Sequence, residues 1–342
     1  MDFDFKAICE FNDYFKDEKT CYEFLENQRW SGSPVCPHCG SMKAPYKVKA
    51  RGKFQDIPSY RCSERACDLP FTVRTNSIYE GSKVELRKWF QAVYEINISK
   101  KGISSVELAT RIGVSQKTAW FINHRLRAML TETNPELLTG MVEVDETYIG
   151  GKEKNKSKKV RAANIEKIKE LHPNRKPHAN ALDTKTPVLG ILQRDGLIRV
   201  TPMVAPSKEI LLDQINKNIS PDATVVTDGL QAYRNISKTH KEHVFVNHNN
   251  DEWVKGQFHT NNIEGFWSIL KRGIIGTFHV VSPQHLHRYC DEFAYRYNNR
   301  QQSLTGKFEE SLKQFDSVRL TYRELTPDQR EPHRKARYNK TK

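Results

Sequence analysis

Met141-Val-Glu-Val-Asp145-Glu-Thr-Tyr-Ile-Gly-Gly-Lys152 is the stretch on which the fold turns. Val142 and Val144 are β-branched residues suited to a buried strand, and Gly150-Gly151 closes the run with a turn signal. Strand alternation puts Asp145 on the face opposite Val142 and Val144. A carboxylate on a central strand is costly unless something positive lies against it. An isolated Asp in such a run more often bonds a turn than holds a ligand. The rest of the chain shifts that balance, because two more carboxylates follow at the ends of elements.

Downstream, residues 152–186 are rich in Lys and Asn and predict a solvated loop or frayed helix whose charge would suit a DNA backbone. PVLGILQ-RDG-LIRVTPMV over 187–204 predicts two strands joined at Asp195-Gly196. A helix over 207–219 capped by Ser207, a short strand Ala223–Val226 and another strand His243–Val246 come next. The order β-β-β-α-β-α-β-α predicts an α/β core with one hairpin and helical crossovers. Asp228 follows the fourth strand, where ligands of open α/β sheets gather. It equally fits a cap of a short helix Leu230–Ile236 or an Asp-Gly turn. Glu264 lies in Thr260-Asn-Asn-Ile-Glu264-Gly-Phe-Trp-Ser-Ile-Leu-Lys271-Arg272, the start of a helix. Phe266, Ile269, Leu270 and Ile274 form its expected buried stripe, with Glu264, Ser268, Lys271 and Arg272 on the other side. Asn261-x-x-Glu264 also fits a capping box, so Glu264 has two readings. Residues 277–300 predict a further helix, and the stretch from Thr305, ending HRKARYNKTK, a disordered basic arm.

Upstream, aromatic residues at helical spacing over 1–30 predict core-packed helices, with Cys9 and Cys21 as small buried residues. Residues 34–75 carry Cys36-Pro-His-Cys39, then, after 22 intervening residues, Cys62 and Cys67 with four residues between them. Two such pairs on adjacent hairpins make a closed tetrahedral site, so we expect structural zinc on Cys36, Cys39, Cys62 and Cys67, with His38 outside it. Small β-rich segments need such a staple. Residues 82–130 predict helices, among them a pair capped by Ser104 or Ser105 and by Ser115 with Gly113 in the turn. Ala119, Ile122 and Leu126 would face inward. Gln116, Lys117, Asn123, His124, Arg125 and Arg127 would form a polar, basic face, the arrangement of a helix-turn-helix whose second helix enters the major groove.

Lys+Arg 55 against Asp+Glu 41 gives a net charge of +14, which points to a polyanionic partner, most often nucleic acid. The Met1-Asp-Phe-Asp-Phe start carries no leader pattern, and no run of about 18 apolar residues exists, so we expect a cytoplasmic, nucleoid-associated protein with no membrane partner. Two tight cysteine pairs fit cytosolic metal binding better than a disulfide framework.

Phosphodiester chemistry uses metal ions, two of them roughly 3.5–4 Å apart in many enzymes, to clamp attacking and leaving oxygens. Mg2+ prefers carboxylate oxygen, which two Asp and one Glu supply. The VDETYIGG strand, the TDG turn and the TNNIEGFWSILKRG helix resemble the bacterial insertion-sequence transposases with a zinc ribbon and a DDE core, the ISXO-like group related to eukaryotic Merlin elements. The resemblance covers nearly the whole chain. It implies N-terminal helices and ribbon over 1–80, a helix-turn-helix over 81–135, an RNase H-like core over 136–304 and a basic tail over 305–342. It implies that Asp145, Asp228 and Glu264 bind Mg2+ or Mn2+ and that Lys271 contacts DNA near the cut. Asn262 would support the site. Two features depart from the family pattern: the wider second cysteine pair and the Lys-rich insertion. The expected function is a transposase that binds its element's terminal inverted repeats, through Gln116, Lys117, Asn123 and Arg125 among others. It would cleave the ends and join them to target DNA as a homo-oligomer. The rivals are a zinc-containing regulator or inactive domesticated relative, with the carboxylates as caps, and a simple nuclease of the same fold.

Overall fold

The computed structural model describes residues 4–49, 57–133, 135–151, 155–171, 184–228, 231–246, 254, 256–316 and 319–326. They fall into two compact units: Met1–Ile98 with Ser105–Leu130 and Ser303–Lys342, and Ser99–Ser104 with Thr131–Gln302.

The first unit opens with α1 (Ile8–Tyr14) and α2 (Glu18–Trp30), the latter capped by Asp17, whose side chain accepts from the Thr20 amide. Phe5, Phe11, Phe15 and Phe24 are buried, as their spacing predicts, together with Cys21. Cys9 is exposed, contrary to expectation, because on α1 it lies on the side opposite the buried Phe11. Strands β1 (Tyr46–Lys47), β2 (Tyr60–Arg61) and β3 (Pro70–Phe71) form a small antiparallel sheet in that order. Helices α3 (Leu86–Ile98), α4 (Ser105–Ile112) and α5 (Gln116–Met129) follow. Gly113, at φ +63°, reverses the chain between α4 and α5, and the Ser115 hydroxyl caps α5 at Thr118.

The second unit is built on β4 (Met141–Ile149), which leads through α6 (Lys158–Leu171) to β5 (Thr186–Gln193) and β6 (Ile198–Pro202). After α7 (Lys208–Asn218) come β7 (Thr224–Asp228) and β8 (Glu242–Val246), then α8 (Asn261–Gly273) and α9 (Leu286–Asn298). The sheet runs β6-β5-β4-β7-β8, with β5 antiparallel to both its neighbours β4 and β6, and with β7 and β8 parallel to β4. The opening stretch is therefore the central strand. On one face Val142 and Val144 join Leu211, Ile215 and Tyr233 in a core under α7. On the other, Val188 and Leu192 pack with Ile263, Phe266, Trp267 and Leu270 of α8 and with Phe293 of α9.

One expectation is narrowed to one of its alternatives here, and two change. Residues 158–171 of the insertion are a helix, while 152–154 and 172–183 lie outside the described residues. In place of one helix over Leu230–Ile236 there are 3-10 turns at Gln231–Tyr233 and Ile236–Lys238. On α8, Trp267 takes the buried place expected of Ile269, which is 39% exposed.

The chain then returns to the first unit as α10 (Leu304–Lys313), capped by Ser303, and α11 (Tyr322–Leu325). The expected disordered tail is thus partly core: Phe308 and Leu312 are fully buried, and the Phe308 ring meets Phe5, Phe11 and Phe90. The basic HRKARYNKTK stretch lies outside the described residues. No helix among the described residues is long and apolar enough to cross a membrane.

Candidate metal centres and active site

The four ribbon cysteines converge. Cys36 and Cys67 Sγ lie 3.8 Å apart and Cys39 and Cys62 Sγ 3.6 Å apart, and all four sulfurs are mutually within 4.8 Å. Gly40, at φ +72°, turns the first knuckle, its amide donating to Cys36 O. The wider second pair is accommodated by a turn in which the amides of Cys67 and Asp68 both donate to Glu64 O, and the Glu64 amide itself reaches Cys62 Sγ at 3.5 Å. His38 points away, its ring nitrogen 3.3 Å from Pro70 O. A closed set of four thiol ligands suits a structural zinc ion.

The carboxylates gather differently. Val144 pairs with Thr227 across the parallel β4–β7 ladder, so Asp145 and Asp228 are the next residues of neighbouring strands. Alternation puts both on the α8 face. Burial pushes the Asp145 carboxyl up to about 6, and the charges of Asp228 and Glu264 push in the same direction. Opposing them, Trp267 of α8 donates its indole N–H to Asp145 Oδ2 at 2.9 Å. Glu146 points to the other face, beside Tyr233. Burial first, then the Asp228 and Asp145 charges, raise it to about 8, and its buried Oε1 makes no hydrogen bond of normal geometry. Asp145 thus feels the charges of both Asp228, on the neighbouring strand, and Glu264, on α8. Among the described residues, however, only the cysteine cluster has three or more ligating atoms as close as 4.8 Å.

Glu264 is carried by α8, which is seated on β4 at two rungs. Glu143, fully buried, accepts from the Asn262 and Ile263 amides, 3.1 Å each, from Asn262 Nδ2 at 2.9 Å and from Arg194 at 3.0 Å. One rung on, Asp145 pairs with Gly190. A Cβ at Gly190 would lie 2.5 Å from the Trp267 ring, so only glycine leaves the indole room to reach Asp145. The capping-box reading of Glu264 fails on this geometry. Asn261 is already inside the helix, and Glu143 takes the first-turn amides. Glu264 is left exposed, its carboxylate 3.3 Å from the Thr260 hydroxyl. Two turns further on, Lys271 borders a hollow of about 580 Å3 with Lys101, Ser268, Arg272 and Thr277. Lys101 belongs to this unit because Gly102 fits against the Phe278 ring.

The expected DNA-facing side of α5 is only partly open. Gln116 and Lys117 are exposed, with Gln116 Nε2 bonded to Ser105 Oγ at 2.8 Å. Asn123 and Arg125 are buried, as are His124 and Arg127. The Arg125 guanidinium donates to Leu320 O, Ile78 O and Glu80 O, and burial lowers it to about 10. Arg125 and Asn123 therefore fail as groove-facing residues, because their helix turns pack inside the protein.

Sequence reading missed Glu143, Gly190, Trp267 and Arg194. Glu143 and Asp145 share one strand parity, a signal that was present, but nothing in the chain announces Gly190 as a seat for an indole.

A four-cysteine ribbon and an α/β core with acidic residues on its central strands define a two-part protein. Residues 16–68 match the transposase zinc-ribbon domain and residues 137–298 the ISXO2-like transposase domain. Over 288 residues the chain is 28% identical to an uncharacterized protein in transposable element ISH50 of Halobacterium salinarum, covering 82% of this chain and 91% of that one. The two matched segments and the insertion-sequence relative together support an ISXO2-like transposase with an N-terminal zinc ribbon.

Proposed function

We propose that the chain is a DNA transposase that binds the terminal inverted repeats of its own element, cleaves a strand at each end and joins the freed ends to target DNA. The observation that carries this reading is the placing of Asp145 and Asp228 as the next residues of neighbouring strands, with the Glu264 charge acting on Asp145 from α8. Strand order β6-β5-β4-β7-β8, three antiparallel strands and then two parallel ones, supports an RNase H-like core. The ribbon and a helix-turn-helix formed by α4 and α5 would bind the ends, and joining two ends calls for a homo-oligomer.

The donor set fits a hard divalent cation. It consists of carboxylate oxygens, the donors such an ion prefers, and burial together with the charges of Asp228 and Glu264 raises the Asp145 carboxyl. Mg2+ or Mn2+ held by Asp145, Asp228 and Glu264 would neutralise developing charge on the phosphodiester and acidify a bound water. The protein's own part is positioning. Trp267 fixes the Asp145 carboxylate through its N–H, and buried Glu143 fixes the start of α8. Lys271, with Lys101 and Arg272 at the hollow, supplies cations that hold the scissile strand by its phosphates. The geometry favours this over the rival in which the carboxylates serve as caps, since the α8 cap is Glu143.

The test is incubation with the flanking element ends and Mg2+, scored for 3′ nicks. Asp145→Asn and Asp228→Asn should abolish nicking while end binding and zinc content persist. Nicking by either variant at the wild-type rate removes that residue from the site. End binding without nicking by the wild-type protein favours a regulator or an inactive relative.

A further inference from the structure

We propose that Glu143 is a positioning residue of the core: its buried carboxylate holds the first turn of α8, and through it the Glu264 carboxylate, in place beside Asp145. The inference rests on Asp145, Asp228 and Glu264 being cation ligands.

Glu143 is 0% exposed, and both its oxygens are engaged. Oε2 accepts from the Asn262 and Ile263 amides at 3.1 Å each, and Oε1 accepts from Asn262 Nδ2 at 2.9 Å and Arg194 Nη2 at 3.0 Å. The two amides belong to the group that a helix start leaves without partners, and negative charge is favoured there. Thr260, the local N-cap, makes no side-chain cap bond. The cap comes instead from 119 residues away, on the strand that carries Asp145. Asp145 lies two residues beyond Glu143 on β4, and Glu264 directly follows Ile263 on α8. One side chain therefore brackets the strand-borne and the helix-borne ligand. Arg194 stiffens the bracket: it donates to Gln257 O at 2.6 Å and His259 O at 3.2 Å, on the segment that leads into α8. A cap supplied from nearby in sequence would start the helix equally well without fixing where Glu264 stands against Asp145.

The test uses full-length, zinc-loaded protein, with Mn2+ affinity measured by titration and amide hydrogen exchange followed at Asn262 and Ile263. Glu143→Gln keeps the volume but turns one acceptor into an NH2 group facing donors. Its Mn2+ affinity should fall roughly 10–100-fold, the usual effect of removing a group that orients metal ligands, while exchange at both amides accelerates and zinc content stays constant. Asn262→Ala, which removes one donor and leaves both backbone bonds, should fall between Glu143→Gln and wild type. Faster exchange with wild-type Mn2+ affinity would make Glu143 a cap only and overturn the proposal. Asp145→Asn is the reference. If wild type binds Mn2+ no better than Asp145→Asn, the carboxylate site itself is wrong. If those two differ and Glu143→Gln equals wild type, only Glu143 loses its role. Should Glu143→Gln fail to fold, Glu143→Asp keeps the charge but shortens the reach to the amides, and the same two outcomes apply to it.

Discussion

Helices α5 and α8 read alike in sequence. Each has an apolar stripe and a polar, partly basic face. In the folded chain each is anchored by one buried charged side chain, but the anchor sits on opposite partners. For α5 it is the helix's own Arg125, turned inward onto the carbonyls of Leu320, Ile78 and Glu80. For α8 it is Glu143, reaching out from the sheet to the helix start. When the helix supplies the anchor, its polar residues are committed to structure. When the sheet supplies it, the helix keeps its polar face, and Glu264 and Lys271 stay exposed. Amphipathic patterning shows that a polar residue is off the apolar stripe. It does not show whether protein or solvent meets it.

The sharpest way to break this contrast is Glu264→Gln. Since Glu143 provides the α8 cap, the substitution should leave the melting temperature unchanged while 3′ nicking falls by orders of magnitude, because a charged ligand is lost with little change in volume. Normal melting with normal nicking would remove Glu264 from the site. The second variant, Arg125→Ala, should act in the opposite manner. Three carbonyls, two of them in buried bonds, lose their donor and a packed side chain leaves a void, for an expected loss of about 2–4 kcal/mol in denaturant unfolding. Wild-type stability would mean that the guanidinium does not anchor α5.

The third variant concerns what the chain made legible and what it did not. The central strand, hairpin, crossover helix and four cysteines were readable because each follows from a local rule: alternation, an Asp-Gly turn, a Ser cap, paired thiols. Cys67 was readable even with the wider spacing, since a turn at Glu64 takes up the extra residues. α10 was hidden because a Lys- and Glu-bearing segment near the end of a chain looks like a tail until the Phe308 site in the first unit is known. The α8 seat was hidden because it is made by a pairing, Asp145 with Gly190, that only the sheet register defines. Gly190→Ala tests that seat. The new Cβ would fall 2.5 Å from the Trp267 ring, an overpacking that costs about 1–3 kcal/mol, and should loosen the indole bond to Asp145. Unchanged stability would show that Trp267 yields without cost.

The smallest effect is expected at Lys117, the cation that α5 still presents to solvent near its start. Its ammonium lies 5.0 Å from the centroid of the Tyr322 ring on α11. At an exposed site such a contact is worth about 0.5–1 kcal/mol, so Lys117→Ala should lower stability by no more than that. If Lys117 also meets a DNA phosphate, the plot of log affinity for the element ends against log salt should flatten by about one unit, nearly equally for all sequences. If it reads a base, the loss should concentrate at one position of the repeat, at about 1–3 kcal/mol. Arg125→Ala, compared at a temperature where it remains folded, should leave that slope unaltered, because its guanidinium is held by three carbonyls. Equal slopes for both variants and wild type would mean that α5 offers DNA nothing through either cation. The contrast with α8 would then extend over the whole helix, with Lys117 serving only to hold α11.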